Sequence, residues 1–286
     1  MWTSINLKIV NIYGGLGNVL FQVCLALHLK DLGHSVKLDM LGLEAKFKEK
    51  VIFFLSKCSI ELDECTATER FRACRAISKK RMRLKELKIL KFLYPDKLYT
   101  EKEWGDIPSD NFDYYFGYFQ NLELAKKYSS VFDNCLNVIA DENGFTRPVS
   151  EGCFIHIRRG DYCTPEALAV HGIVGEDYYN KAIEHFDNEM IFDVYSNDDT
   201  WVKENIKSDN IRVIENGQYR YPDIQDLYSM SKYKNGIIAN STFSFWAALI
   251  RTEQLNKEII CPEKWFSDSK LQKLSYKLKN SEWVYK

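Results

Sequence analysis

Residues 7–40 read LKIVNIYGGLGNVLFQVCLALHLKDLGHSVKLDM, and this stretch decides the fold class. Leu7 to Ile12 is a short apolar run that reads as a strand. Tyr13-Gly14-Gly15-Leu16-Gly17 reads as a glycine turn, Asn18 to Leu32 as an apolar-periodic helix, and Ser35 to Met40 as a second strand. The result is a βαβ unit with a glycine turn at its first strand–helix junction, which predicts a parallel α/β sheet.

Working outward, residues 44–93 follow a mainly helical pattern, and residues 95–150 are mixed and carry the aromatic cluster Phe112 to Phe119. Asp141 to Pro148 reads as a linker. Alternation then resumes, with strands expected at Cys153 to Arg158, Ile191 to Ser196, Ile211 to Ile214, Gly236 to Ala239 and Glu258 to Cys261. Helices fit between them at Asp177 to Phe186, Asp199 to Ile206, Asp223 to Tyr233 and Phe243 to Glu253. Two runs of alternating strand and helix predict two Rossmann-like parallel-sheet α/β domains, residues 1–148 and 149–286, facing a central cleft.

With 286 residues, 45% hydrophobic, 28% charged, Gly 14 and Pro 6, the composition is that of a globular protein and excludes a disordered or collagenous chain. A net charge of -1 gives no global attraction to nucleic acid. No apolar run approaches the about 20 residues that a spanning helix needs. The start, MWTSINLKIV, has no basic n-region or small-residue cleavage site, so a cytoplasmic address is expected. The eight cysteines show no C-x-x-C and no paired His spacing, and are expected to be reduced, mostly buried thiols.

Three motifs carry chemistry. At the first, Gly15-x-Gly17 follows a strand and opens a helix, with Asp39 near the next strand end, as in a dinucleotide fingerprint. Leu20 stands where the third glycine would, so the turn reads instead as one that offers backbone N–H groups and the Asn18 side chain to a polar ligand; a plain tight turn is the alternative. The second is His156-Ile157-Arg158-Arg159-Gly160-Asp161-Tyr162, at the carboxyl end of a predicted strand. Alternation sends His156 and Arg158 to one side, and an arginine fork matches paired phosphate oxygens, with Asp161 placed to hold it. A surface arginine pair with a structural aspartate is the alternative. The third is Asn240-Ser241-Thr242-Phe243-Ser244-Phe245-Trp246, a polar triplet that opens an apolar helix. Ser241 or Thr242 there leaves N–H groups and hydroxyls for a phosphate, or simply caps the helix.

Asp198-Asp199 and Asp223-x-x-Asp226 stand at predicted helix starts, where carboxylates favour the dipole. No Asp-x-Asp occurs, so the usual carboxylate pair for a metal-bridged diphosphate is missing and no metal is expected. The segment Arg70 to Lys91 carries ten Lys or Arg against one acid, Glu86, with Phe71, Cys74, Ile77, Leu84, Leu87 and Ile89 as an apolar stripe. It reads as a solvated helix face or as a basic amphipathic helix for an anionic membrane.

These motifs, in this order and spacing, resemble those of the bacterial α-1,2-fucosyltransferases of glycosyltransferase family 11. The matching stretches are Gly14 to Gln22, His156 to Tyr162, Ser196 to Asp199, and Asp226-Leu227 through Asn240 to Trp246. Departures are Val19 and Phe245, where the family usually has Gln and Trp, and Asn235, where it often has His. The resemblance implies a GT-B-like fold, GDP-β-L-fucose as donor, and transfer with inversion to the 2-hydroxyl of a terminal galactose, without cofactor or metal. Arg158 would bind the β-phosphate with Arg159 in support. Ser241 and Thr242 would hold the diphosphate, His156 and Asp226 the ribose or guanine. Asn18, with Gly15 and Gly17, would sit near the β-phosphate and fucose. Asp161 is the carboxylate nearest the clamp in sequence and the candidate base.

The expected acceptor is a galactose-terminated oligosaccharide of an O-antigen-like surface polysaccharide, free or carried on a lipid diphosphate. The setting is the inner face of the plasma membrane, with peripheral contact through residues 70–91 and no nucleic acid partner. Three other classes stay open: a fucosyltransferase of other linkage or acceptor, a nicotinamide-dependent enzyme using Asp39, and a lectin-like protein stacking sugars on residues 112–119.

Overall fold

The structure is a computed structural model and describes residues 7–76, 84–145, 149–215 and 219–286. The chain divides into two compact units, Met1–Tyr128 and Ser129–Lys286.

The first unit runs β1 (Leu7–Asn11), α1 (Leu16–Asp31), β2 (Ser35–Asp39), α2 (Ala45–Lys57), β3 (Asp63–Glu64), α3 (Ala67–Cys74), α4 (Leu84–Leu93), β4 (Leu98–Thr100) and β5 (Tyr114–Phe116). Its sheet is parallel in the order β3-β2-β1-β5-β4. The helix α1 is buried nearly all round, which is why its sequence is apolar on every face. It stops at Leu32-Gly33, with Gly33 at φ +89 supplying the left-handed turn. The helix α3 starts in a capping box: Thr66 Oγ1 accepts from Glu69 N at 3.2 Å, and Glu69 Oε2 accepts from Thr66 N at 2.7 Å.

That cap aims Arg70 inward. Its Nε lies 2.9 Å from Asp39 Oδ2, and both side chains are buried. Asp39 also accepts from the Tyr114 hydroxyl and from Leu41 N. Two expectations are corrected here. Arg70 is no part of an exposed basic face, and Asp39, committed to these partners, is not available to a dinucleotide ribose. Of the aromatic cluster, Tyr114, Tyr115 and Phe119 are fully buried and belong to the core, while Phe112, Phe116 and Tyr118 are half-buried.

The helix α5 (Leu122–Asn143) spans the division between the units and takes up Asp141 to Asn143 of the expected linker; residues 146–148 lie outside the described residues. The second unit continues with β6 (Ser150–Ile157), a 3-10 turn (Gly160–Cys163), α6 (Pro165–Val170), α7 (Glu176–Ile183), β7 (Phe192–Ser196), α8 (Asp199–Asn205) and β8 (Ile211–Val213). Then follow α9 (Pro222–Ser231), β9 (Tyr233–Ile237), α10 (Thr242–Leu249), α11 (Thr252–Leu255), β10 (Glu258–Cys261), α12 (Ser269–Leu274), a second 3-10 turn (Ser275–Leu278) and β11 (Val284–Tyr285). Its sheet is parallel in the order β11-β10-β9-β6-β7-β8. Burial of Cys153, Phe154, Ile155 and Ile157 on β6 fits a strand covered on both faces by helices.

The expectation of two Rossmann-like parallel sheets therefore holds. Among the cysteines, Cys24, Cys65, Cys74, Cys153 and Cys261 are free and buried, as expected, and Cys163 is free and exposed.

Candidate active site

Open parallel sheets bind ligands outside the carboxyl ends of their strands, where the strand order reverses. In the second sheet the chain runs outward from β6 through β7 to β8, then returns to β9 on the other side of β6 and runs outward again. The reversal lies between β6 and β9. β6 leads into Arg158, and β9 leads into Asn240-Ser241-Thr242. Topology thus brings together the two motifs that the sequence holds about eighty residues apart.

On the β6 side His156 is 6% exposed, and burial together with neighbouring Arg158 drives its pKa down to about 3. The imidazole is therefore neutral at physiological pH. Its Nδ1 is buried without a hydrogen-bond partner among the described residues, and its ring lies 5.5 Å from that of Phe243. Arg158 is half-buried, with its guanidinium carbon 5.8 Å from the Tyr162 ring centroid. Arg159 points elsewhere: its Nε is 3.4 Å from Asp198 Oδ2 and its guanidinium lies over Trp201 at 4.2 Å. Arg159 thus anchors the loop, and Arg158 lies by Tyr162.

The turn itself is held by Asn197. Its Oδ1 accepts from Arg159 N at 2.9 Å, and a Cβ on Gly160, at φ +31, would collide with its Nδ2. The sequence motif includes Asn197 but gives no hint of this positioning role. Asp198 caps α8 through Trp201 N at 3.1 Å, the helix-start reading of that pair. The Asp161 side chain lies outside the described ones.

On the β9 side, Ser241 caps α10 by accepting from Phe243 N at 3.3 Å, and Thr242 opens the helix. Asn240 donates through Nδ2 to His171 O at 2.9 Å and to Trp265 O at 3.2 Å. Its Oδ1 is buried and unpartnered among the described residues, an acceptor that sequence reading did not assign. Tyr178 Oη, 2.8 Å from Ile238 O and 3.1 Å from Ile260 O, fixes the exits of β9 and β10. The helix α9, which packs on α10, carries Asp226, whose carboxyl is pushed up to about 7 by burial and by Asp223.

In the first unit the order reverses between β1 and β5, and the glycine turn sits there. Gln22, fully buried, accepts from Tyr13 N at 3.1 Å and donates to Tyr13 O and Gly117 O, both at 3.2 Å, so it ties the exits of both strands. Asn18 Oδ1 accepts from Gln120 Nε2 at 2.8 Å. The glycine the turn demands is Gly14, at φ +87, where a Cβ would approach Asn18 Nδ2 to 2.7 Å. A Cβ at Gly15 would meet nothing within 4 Å, so Gly15 leaves the helix start open. Gly17 is buried within α1.

Chemically, the second unit offers a guanidinium, a capped helix start and buried neutral hydrogen-bonding groups around one strand reversal, which suits a phosphorylated ligand. Relatives agree. The chain is 34% identical over 175 residues to the O-antigen biosynthesis glycosyltransferase WbnK of Escherichia coli, covering 56% of this chain and 57% of that protein. It is 28% identical over 300 residues to an alpha-1,2-colitosyltransferase of Escherichia coli, covering 91% and 98%. Among solved structures, NodZ alpha-1,6-fucosyltransferase soaked with GDP-fucose is similar at a TM-score of 0.44 and 9% identity, over 85% of this chain and 92% of that one. The profile of glycosyl transferase family 11 matches residues 74–286, which take in both motifs of the second unit, and the chain belongs to that family.

Proposed function

We propose that the chain is an inverting transferase that moves L-fucose from GDP-β-L-fucose to the 2-hydroxyl of a terminal galactose in an O-antigen-like surface polysaccharide. The observation that supports this reading is that the paired strands β6 and β9 lead, at the strand reversal of the second sheet, into Arg158 and into Asn240-Ser241-Thr242. The acceptor oxygen attacks C1 of fucose, the bond from C1 to the β-phosphate oxygen breaks, and GDP departs with the negative charge. Arg158 and the start of α10 neutralise that charge, so the reaction is proposed to need no metal. The acceptor proton passes to a base, for which Asp161 is the candidate, or to water. Asn18, Gly15 and Gly17 are proposed to meet the fucose side of the donor. The colitosyltransferase relative names the competing reading, a colitosyl donor at the same cradle.

Titration calorimetry in EDTA tests the donor. GDP and GDP-fucose are expected to bind in the micromolar range and NAD not at all. Binding of NAD alone, or donor binding lost to the chelator, would overturn the proposal.

Asp226 adds a pH dependence. Below about pH 7 its carboxyl keeps its proton, so a nucleotide that donates hydrogen bonds to the carboxylate must first expel it. Affinity for GDP therefore rises as pH rises through 7, and is expected to be roughly tenfold weaker at pH 6 than at pH 8. Asp226→Asn should flatten the profile once the same titration of GDP itself is subtracted; an unaltered profile in this variant contradicts a nucleotide-binding role.

Contact with a membrane is proposed for α4. No described helix is long and apolar enough to cross a bilayer. The expected stripe over residues 70–91 is interrupted at Arg75, which is left-handed at φ +61, and part of it falls on residues 77–83, outside the described ones. On α4 itself, Leu87 and Leu90 pack into the core, while Ile89, Phe92 and Leu93 are 59%, 85% and 57% exposed beside exposed Lys85 and Lys88. Vesicles containing phosphatidylglycerol should sediment the protein and phosphatidylcholine vesicles should not, each lysine near the surface adding about 1 kcal/mol. Phe92→Asp should reduce the bound fraction severalfold, and binding that ignores both salt and anionic lipid would count against this surface.

A further inference from the structure

We infer that Gln120 is a positioning residue for Asn18: it fixes the Asn18 side-chain amide so that the nitrogen, and not the oxygen, lies over the glycine turn, where it can donate to a phosphate or sugar oxygen. The inference rests on the donor-contact role proposed for Asn18 and goes beyond it, to what gives that side chain its polarity.

All the groups concerned belong to the first unit. Asn18 is half-buried in the first turn of α1, close to the exposed Gly14 and Gly15. Gln120 is 6% exposed, and its Nε2 donates to Asn18 Oδ1 at 2.8 Å. An amide nitrogen donates and an amide oxygen accepts, so this bond sets which way round the Asn18 amide lies. Its Nδ2 falls on the side of the turn, 2.7 Å from where a Cβ on Gly14 would stand. A donor there suits a ligand rich in anionic oxygens, whereas the reversed amide would set a carbonyl oxygen against it.

Gln120 reaches Asn18 through a strained turn after β5. Phe119 is left-handed at φ +54, a conformation that a bulky residue rarely takes. The turn is held from the end of β4 by Glu101, whose carboxylate accepts from Tyr118 N at 2.7 Å, Phe119 N at 3.2 Å and Gly105 N at 2.7 Å. Gly117 permits this approach, since a Cβ on it would come within 2.6 Å of Glu101 Cβ. From the other side Gln22 donates to Gly117 O, and the Tyr118 ring packs on that of Tyr13 with centroids 4.6 Å apart. Strain of this kind persists only where its surroundings enforce it, and it clusters at functional sites. Here the enforced residue is followed directly by the one that grips Asn18.

Two readouts separate positioning from chemistry. The first needs no turnover. In ¹⁵N relaxation of the full chain, the Asn18 side-chain amide, identified by its loss in Asn18→Ala, is expected to be as rigid as the backbone of α1 and to become mobile in Gln120→Met. An amide that behaves alike in the two proteins overturns the inference. Gln120→Glu, of the same shape, serves if Gln120→Met does not fold; its carboxylate should turn the Asn18 amide protons toward itself and move them downfield.

The second readout is the rate with GDP-fucose and a β-galactoside. Gln120→Met should lower kcat/KM roughly tenfold, the worth of one hydrogen bond to a charged group, and Gln120→Glu, which turns the Asn18 oxygen outward, roughly tenfold more. In an Asn18→Ala background neither change should cost more than about twofold, because the residue it acts through is gone. Equal losses in both backgrounds would make Gln120 a structural residue only and overturn the inference. Asn18→Ala at the wild-type rate would instead overturn the role proposed for Asn18, and a chain that binds no GDP-fucose the proposed function itself. In both cases the relaxation result still decides whether Gln120 sets the amide.

Discussion

Arg158→Ala is expected to lower kcat for fucosyl transfer by roughly 10²-fold or more, the usual loss when one preorganised donor to a developing oxyanion is removed. In the proposed reaction charge builds on the departing β-phosphate only as the C1–O bond breaks, so a guanidinium placed there would contribute more in the transition state than in the ground state. The loss should appear in kcat as well as in kcat/KM. Arg158→Lys keeps the charge and loses the fork, and should recover part of the rate. The neighbouring arginine provides the control. Arg159 is already occupied by Asp198 and Trp201, so Arg159→Ala should act through loop position, with a smaller effect on rate. Initial rates with GDP-fucose and a β-galactoside decide the matter, and an Arg158→Ala enzyme within fivefold of wild type would place the leaving-group cation elsewhere.

Arg70→Met is expected to destabilise the chain by about 3–5 kcal/mol, the cost of removing one partner from a buried ion pair. The distance of 2.9 Å from Arg70 Nε to Asp39 Oδ2 lies in the interior of the first unit, and the Tyr114 hydroxyl donates to the same carboxylate. Without the guanidinium, Asp39 keeps a buried charge with only neutral donors around it. Urea unfolding should show the loss as a lower midpoint with a similar slope. The double variant Arg70→Met with Asp39→Leu should recover much of it, since burial without charge is cheaper than a half-removed pair. A single variant as stable as wild type would mean that water reaches Asp39.

Local signals were legible and long-range ones were not. The expected strand Leu7 to Ile12 appears as Leu7–Asn11, and Glu258 to Cys261 appears unaltered, because apolar runs bounded by turn residues need no tertiary information. The helix expected from Phe243 to Glu253 breaks at Arg251, left-handed at φ +63, which nothing in its side chain announces. β9 starts at Tyr233, earlier than expected, since Tyr233-Lys-Asn carries on the helical pattern of α9 and gains its strand identity only by pairing with β6. β5 was hidden inside an aromatic cluster that equally suits a binding surface. At the site, residue types showed which groups can meet a phosphate. That Arg159 holds the loop depends on Asp198 and Trp201, and alternation along the strand cannot carry that past Gly160. His156 Nδ1 and Asn240 Oδ1 stand out only through their missing partners among the described residues, which no sequence displays.

The strand order of the first sheet also bears on how the protein is made. β5 is synthesised last of its strands but lies between β1 and β4. Until residues 114–116 leave the ribosome, β1 has one open edge of unpaired amides and carbonyls, and the Asp39–Arg70 pair lacks its Tyr114 hydroxyl. An unpaired edge on an apolar strand is a template for aggregation. From the end of β2 at Asp39 to the start of β5 at Tyr114 the nascent chain therefore passes through about 75 residues of synthesis in a state that favours chaperone capture, and truncation within that interval leaves the edge exposed for good.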